Sequence, residues 1–422
     1  MASSKQLSLE DYRVACITII AEEFAAFEQM FDARHTPPIG IDERDPNNYE
    51  FGEVAGHNVV LCAAAQAGTG WAATTATNFW RTFKGINLGL LVGIGAGVPS
   101  SNRDIRLGDV VVAAPGQLSN GITHYDHGKQ LSDAFILLNI PDSIPKKLQG
   151  AVRRMQAVDI LRQSTMPRII SSVIKDHAVF ERPDTRHDLL FQATYEHINA
   201  NPNCDECSKE HLVSRIPREC PAPRVHYGPI ASGNQVVKSA EKRETLRELY
   251  GVYCIEMEAA GVMPALPSLV IKGISDYADS HKNDRWKKYA ALAAAAYAKE
   301  LLTRIPPPDT SSSSIVRSSG ITTSGQTTAA LCRDQALEEL LERTARQIHA
   351  GDWRKSVVDL MKVLGLSSDR TSRDHLATIL RVNDGSSGSW ERNNALRRAL
   401  MGRLAVEGGA VVFPSELEAL RY

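Results

Sequence analysis

The chain has 422 residues, 43% of them hydrophobic and 23% charged, with a formal net charge of −1. That balance gives no overall drive toward nucleic acid or an anionic membrane. The apolar runs fall short of the roughly 20 residues a membrane helix needs, and the opening MASSKQLSLEDYR has no apolar stretch of the kind found in a secretory leader. The composition points to a globular cytoplasmic protein, and the length to two domains.

In chain order, YRVACITII (12–20) reads as a buried strand and EEFAAFEQMFD as a helix with Phe24, Phe27 and Met30 or Phe31 on one face. NVVLCAAA (58–65) is a second core strand and WAATTATNFWRTF (71–83) a second helix. LGLLVGIGAG is a strand running into a glycine loop, and RLGDVVVAAP (106–115) a further strand. Residues 131–225 mix helical pieces, such as DTRHDLLFQATYEHI, with loops containing Pro and Cys, and read as an insertion. YCIEMEAAGVMPAL and SLVIKGISDYADS repeat a strand-to-polar-turn pattern, and WKKYAALAAAAYAKELLTRI (286–305) is an alanine-rich helix. Alternating strands and helices predict an α/β fold with a mainly parallel sheet covered on both faces.

Pro, Ser, Thr and Gly dominate residues 306–332, which read as a flexible linker. Beyond it, RDQALEELLERTARQIHAGDW places Leu337, Leu340, Leu341, Ala345 and Ile348 on one helical face. WRKSVVDLMKVLGL and ERNNALRRALMGRLAVEGG read as further helices, so residues 333–422 are expected to form a small all-α domain.

Seven cysteines, an odd number, fit a reducing compartment. Cys16, Cys62 and Cys254 lie in strand-like runs and read as core residues. Cys204, Cys207, His211 and Cys220 have the residue types of a zinc site but irregular spacing. Reduced loop thiols, with no metal, are the expectation.

Ligands of parallel α/β sheets bind beyond the carboxyl ends of the strands. The polar residues just past the apolar runs are Glu22 and Glu23, the loop Gly93-Ile94-Gly95-Ala96-Gly97, Glu256 and Glu258 around Met257, and Ser275 with Asp276. Singly, each has a plain structural explanation: a first-turn acid, a turn residue, a core methionine. Jointly they predict a cleft lined with carboxylates.

The segments VGIGAGVPS, IRLGDVVV, HYGPIASGNQVV, IEMEAAG and GISDYADSHKNDRW closely resemble the purine nucleoside phosphorylase and nucleosidase family, over residues about 12–305. The likeness is greatest to fungal-type members, often the first module of multidomain proteins. It implies a three-layer α/β/α sandwich with a mixed sheet, no cofactor, a homo-oligomer, and cleavage of the N-glycosidic bond of a purine nucleoside or nucleotide. By the same resemblance, Asp276 donates a proton or hydrogen bond to purine N7, and Ser275 orients it. Glu258 binds the ribose hydroxyls, Met257 packs under the sugar, Val236 and Val237 read the base edge, and Glu23 activates water. Gly93 and Gly95 lie in the loop that faces the substrate. Arg103, with Arg106, His281, Lys282 and Arg285, is a candidate for a 5′-phosphate, which admits AMP or ATP. The C-terminal stretch resembles a small helical domain family of unknown function.

Phosphorylases of the family carry an Arg and a Ser or Thr about the glycine loop, where this chain has Leu91 and Ile94. That departure favours water over phosphate as the nucleophile. Asp at 276, rather than Asn, suits a 6-amino purine. Phosphorolysis and a nucleotide-sensing module without turnover are the alternatives.

Overall fold

The computed structural model describes residues 5–116, 119–132, 135–138, 144–199 and 203–307. In the C-terminal part it describes 341, 344–345, 352, 356–380, 382, 386–401, 405–407 and 410–412. Two compact units, Met1–Thr310 and Ser311–Tyr422, divide the chain. Most of the expected linker lies outside the described residues.

The first strand, β1 (Val14–Thr18), is buried at every position, as an apolar run covered on both faces should be. It leads into α1 (Ala21–Glu28), then β2 (Ala33–Arg34), β3 (Tyr49–Val54), β4 (His57–Ala63) and α2 (Thr69–Thr82). There follow β5 (Leu88–Gly97), β6 (Val110–Ala113), β7 (Ile122–His124), and the separate hairpin β8 (Gly128–Gln130) and β9 (Phe135–Leu137). The helices α3 (Lys146–Ile160) and α4 (Met166–Asp176) precede β10 (Val225–Gly228) and β11 (Ile230–Ser232). The unit closes with α5 (Ala240–Tyr250), β12 (Cys254–Glu256), α6 (Ala259–Ala265), β13 (Ser268–Asp276) and α7 (Lys287–Thr303).

The sheet order is β10-β6-β13-β5-β1-β4-β3-β2. At its centre β5 runs parallel to both β1 and β13, while β6 is antiparallel to β13 and β3 to β4. The far end of β5, Ala96 and Gly97, pairs antiparallel with β12, which starts a branch through β11 to β7. The sheet therefore forks where β5 and β13 run on past the end of β1. α7 packs with α1, α3 and α4, and α2 packs with α6, completing the three-layer mixed α/β sandwich. Its core includes Ile17, Leu61, Phe79, Leu90, Leu269, Ile271, Trp286 and Tyr297.

The insertion differs from expectation. Over residues 184–198 no α-helix forms; only a short 3-10 turn, Thr185–His187, appears. The apolar residues there have other partners: Phe191 bridges to Leu212 and stacks on His281, and Tyr195 stacks on His211. The regular helices of the insertion are α3 and α4.

The second unit contains α8 (Val357–Val363), α9 (Arg370–Ile379) and α10 (Trp390–Met401) about Leu360, Met361, Leu366, Leu376, Leu396 and Leu400. Of the predicted helix at 333–353, the described Leu341 and Ala345 belong to this core, and the rest of its apolar stripe lies outside the described residues. Beyond α10, Ala405–Glu407 pairs antiparallel with Ala410–Val412. The unit thus adds a hairpin to its helices; AVEGGAVV places a Gly-Gly turn signal between two valine-bearing runs.

Candidate functional site

When β1 ends at Thr18, the next amides lose their ladder partners. Glu23, at the third position of α1, turns back so that its Oε2 accepts from Ile19 N (2.7 Å) and Ile20 N (3.2 Å). This is the backward half of a helix-capping arrangement. Its Oε1 accepts from Ile94 N at 2.7 Å, tying α1 to β5. Gly93 makes the space: a Cβ there would stand 2.4 Å from Glu23 Oε1. The Glu23 side chain is buried, and burial raises its pKa against the opposing pull of Lys272 and the three amides.

Lys272, in the middle of β13, is completely buried. Its Nζ lies 3.1 Å from Glu256 Oε2 and 3.3 Å from Glu258 Oε2. Burial acts to lower the Lys272 pKa, but Glu256, Glu258 and Glu23 outweigh it and hold the ammonium firmly charged. Here is the physical reason two acids can flank Met257 in an apolar run: a buried cation meets both. Glu256 also accepts from Glu258 N and Ala259 N, which caps the start of α6. Glu258 accepts from Gly68 N (3.4 Å) ahead of α2. Burial pushes its pKa up to about 7, with Lys272 opposing and Glu256 and Glu23 adding to the rise.

On β13 the register slips between Ile274 and Asp276, a bulge at Ser275. Consecutive strand residues ordinarily face opposite ways, but a bulge re-aims them, and both Ser275 and Asp276 line the same cavity. Ser275 Oγ donates to Asp276 Oδ2 (2.9 Å), Lys282 Nζ lies 2.7 Å from the same oxygen, and Ala278 N donates to Oδ1 (3.0 Å). The carboxylate is held from both sides.

These groups surround a cavity of about 240 Å³ at the carboxyl ends of β1, β5 and β13. Glu23, Glu256, Met257, Glu258, Ser275 and Asp276 line it, together with Gly95, Val236 and Val237. Gly95 has no room for a side chain: a Cβ would lie 2.4 Å from Cys254 Sγ. Val236 and Val237 are placed by the segment after β11, where Asn234 Oδ1 accepts from Thr69 N and Oγ1 at the start of α2. The lining cations are Lys282, paired with Asp276, and Lys287, paired with Asp284.

Other expected residues lie elsewhere. Gly93 acts behind the lining, through Glu23. Arg103 is directed away: its Nη1 donates to Gly251 O (3.0 Å), its guanidinium sits 4.3 Å from the Tyr253 ring, and it lines a different cavity. Arg106 pairs with Asp104, and Arg285 contacts His187. Leu91 is buried within β5, and Ile94 lines the cavity. His211 stacks on Tyr195 and Cys220 is exposed, so neither joins Cys204 and Cys207 in a cluster. Sequence reasoning missed Lys272; the signal was a single lysine in the apolar run LVIKGI.

A mixed α/β sandwich with a carboxylate-lined cavity where its central strands end defines a phosphorylase- and nucleosidase-like architecture. The chain belongs to the Phosphorylase superfamily, which residues 13–305 match; residues 287–412 match a domain of unknown function, DUF3597. It is 35% identical over 380 residues to a nucleotide-binding leucine-rich repeat (NLR)-like protein of Hyaloscypha variabilis, covering 90% of this chain and 37% of that protein. Over 79 residues it is 38% identical to the ATP nucleosidase Cap17 of Escherichia coli, covering 17% of this chain and 16% of that one. The chain thus spans well under half the length of these relatives. Among solved structures, the 5′-methylthioadenosine/S-adenosylhomocysteine nucleosidase of Neisseria meningitidis, in complex with methylthio-immucillin-A, aligns at 19% identity and a TM-score of 0.45, over 69% of this chain and 98% of that one. No described helix is long and apolar enough to cross a membrane.

Proposed function

We propose that the chain hydrolyses the N-glycosidic bond of an adenine nucleoside or nucleotide, releasing free base and ribose or its 5′-phosphorylated form. The observation that carries the reading is the gathering of Glu23, Glu258 and Asp276 about one cavity that the glycine-rich end of β5 lines with Ile94, Gly95 and Ala96. Asp276, steadied by Ser275, faces the base; in its protonated form it gives that proton to N7, so that the base departs neutral, and Lys282 meets the carboxylate that remains. The Glu258 carboxylate accepts from the ribose diol and stabilises charge developing on the sugar. Glu23, with proton affinity raised by burial, takes the proton of the attacking water. Lys272 keeps the acids in place without entering the cavity lining. The nucleosidase name borne by one partial relative agrees with this chemistry.

Incubation with adenosine, AMP and ATP, followed by chromatography for adenine, tests the reading. Adenine is expected from at least one of them and not from the 2′,3′-dideoxy counterpart. Binding without base release from any of the three would replace the enzyme with a nucleotide-sensing module.

A further inference from the structure

The part of the insertion between α4 and β10 carries three groups for which the proposed reaction has no use. His197, Cys204 and Cys207 each direct one ligand atom into a common space, the three atoms lying within 4.8 Å of one another. Both cysteines are free thiols, and Cys207 is only 5% exposed. His197 Nε2 is shielded from solvent and has no hydrogen-bond partner. On the other side of that ring, Nδ1 lies 2.9 Å from the carbonyl oxygen of Asn199. Asn199 N also approaches Nδ1, at 3.4 Å, but the carbonyl contact is the shorter; a carbonyl only accepts, so this contact places the proton on Nδ1 and leaves Nε2 its lone pair. That tautomer, set by a hydrogen bond on the far nitrogen, is the one a metal-ligating histidine needs.

We propose that His197, Cys204 and Cys207 bind a zinc ion. Two thiolates and an imidazole favour zinc over the hard cations, which prefer oxygen. Tetrahedral zinc, with bonds of about 2.3 Å to sulfur and about 2.0 Å to nitrogen, sets its ligand atoms roughly 3.7 Å apart. The cluster reaches that spacing by drawing in about 1 Å at most, and water takes the fourth position. The set differs from the one its sequence spacing suggests: His197 takes part, while His211 and Cys220 do not.

The location gives the ion a role. His197 N donates to Ser280 Oγ (2.9 Å), and Cys204 Sγ lies 3.9 Å from the carbonyl oxygen of His281. Both contacts reach the loop after β13, which follows directly on Asp276 and includes Lys282. A zinc ion joining His197 to Cys204 and Cys207 would stiffen the stretch of the insertion that contacts this loop through the His197 amide, while Cys204, as a thiolate, would give up its contact with His281 O.

The test is metal analysis of the full chain after exposure to zinc and dialysis. One zinc per chain is expected. Occupancy should fall at least tenfold, the scale on which even outer partners of metal ligands matter, in Cys204→Ser, Cys207→Ser and His197→Ala. It should persist in Cys220→Ser and His211→Ala. A second arm uses the unaltered chain alone: zinc should protect Cys204 and Cys207, but not Cys220, from alkylation mapped by mass spectrometry. Zinc at the level of a chelator-treated control, or equal alkylation with and without zinc, would overturn the proposal. Recovery of Cys204 and Cys207 as a disulfide from anaerobically isolated protein would overturn it too, and assign the pair to redox chemistry.

Discussion

Lys272 makes the acid-rich segment possible, because a buried ammonium lets Glu256 and Glu258 remain inside. Lys272→Met removes the one charge that meets both acids and should destabilise the first unit by about 3–5 kcal/mol, the usual consequence of breaking a buried pair. Urea unfolding measures this, and an unchanged midpoint would show that the cluster does not need its cation. Glu258 gives a pH signature. Its carboxyl is held up at about 7 against an ordinary 4.5. A raised acid contributes fully to stability below its unfolded value and loses that contribution as pH rises through its folded one. The melting temperature of Glu258→Gln should therefore gain on that of the unaltered chain between about pH 5 and about pH 8; parallel profiles would place the titration elsewhere. For Asp276→Ala, base release should fall by roughly 10²-fold or more, the scale of general-acid catalysis. Near-normal turnover by the folded variant would remove Asp276 from the mechanism.

At the scale of elements, two backbone features shape the cavity. The bulge at Ser275 turns Ser275 and Asp276 toward the same space, and the missing side chain at Gly93 admits the Glu23 carboxylate. Gly93→Ala should push Glu23 off Ile94 N and cut base release by at least tenfold in a chain that still folds, measured beside its circular dichroism. Retained activity would show that the carboxylate can shift without consequence. Much of the sheet was legible: VACIT, NVVLCA and SLVIKGISD are strands because unbroken apolar runs suit a sheet covered on both faces, and LGLLV begins another, which runs on through residues 93–97 where the glycines suggest a loop. The insertion was not. Its aromatic residues satisfy a helical pattern in sequence, yet Phe191 and Tyr195 are spent on stacking with His281 and His211, which lie distant in sequence. Lys272 was illegible for a related reason. A lysine within a strand pattern reads as a position facing solvent until the fold brings β12 alongside the end of β5, next to β13.

At the scale of the molecule, the carboxylates about the cavity all come from the unit Met1–Thr310. A chain ending at Ile305 is expected to fold and retain base release, because every element packed about the cavity precedes that residue. Loss of folded protein on that truncation would make the C-terminal helices part of the first core. The whole account depends on which nucleophile meets the sugar. A phosphate dianion beside Ile94 would meet no cation from β5, and the lining lysines, Lys282 and Lys287, are already paired with Asp276 and Asp284. Such an uncompensated charge is costly away from water, whereas a water molecule needs one acceptor, and Glu23 supplies it. The most direct measurement is adenine release from phosphate-free protein, with and without added phosphate, and with identification of the sugar product. The account predicts release at the same rate in both, with ribose or its 5′-phosphorylated form as product, and loss of release in Glu23→Gln with substrate binding kept. Inactivity without phosphate, and ribose 1-phosphate formed once phosphate is added, would contradict it.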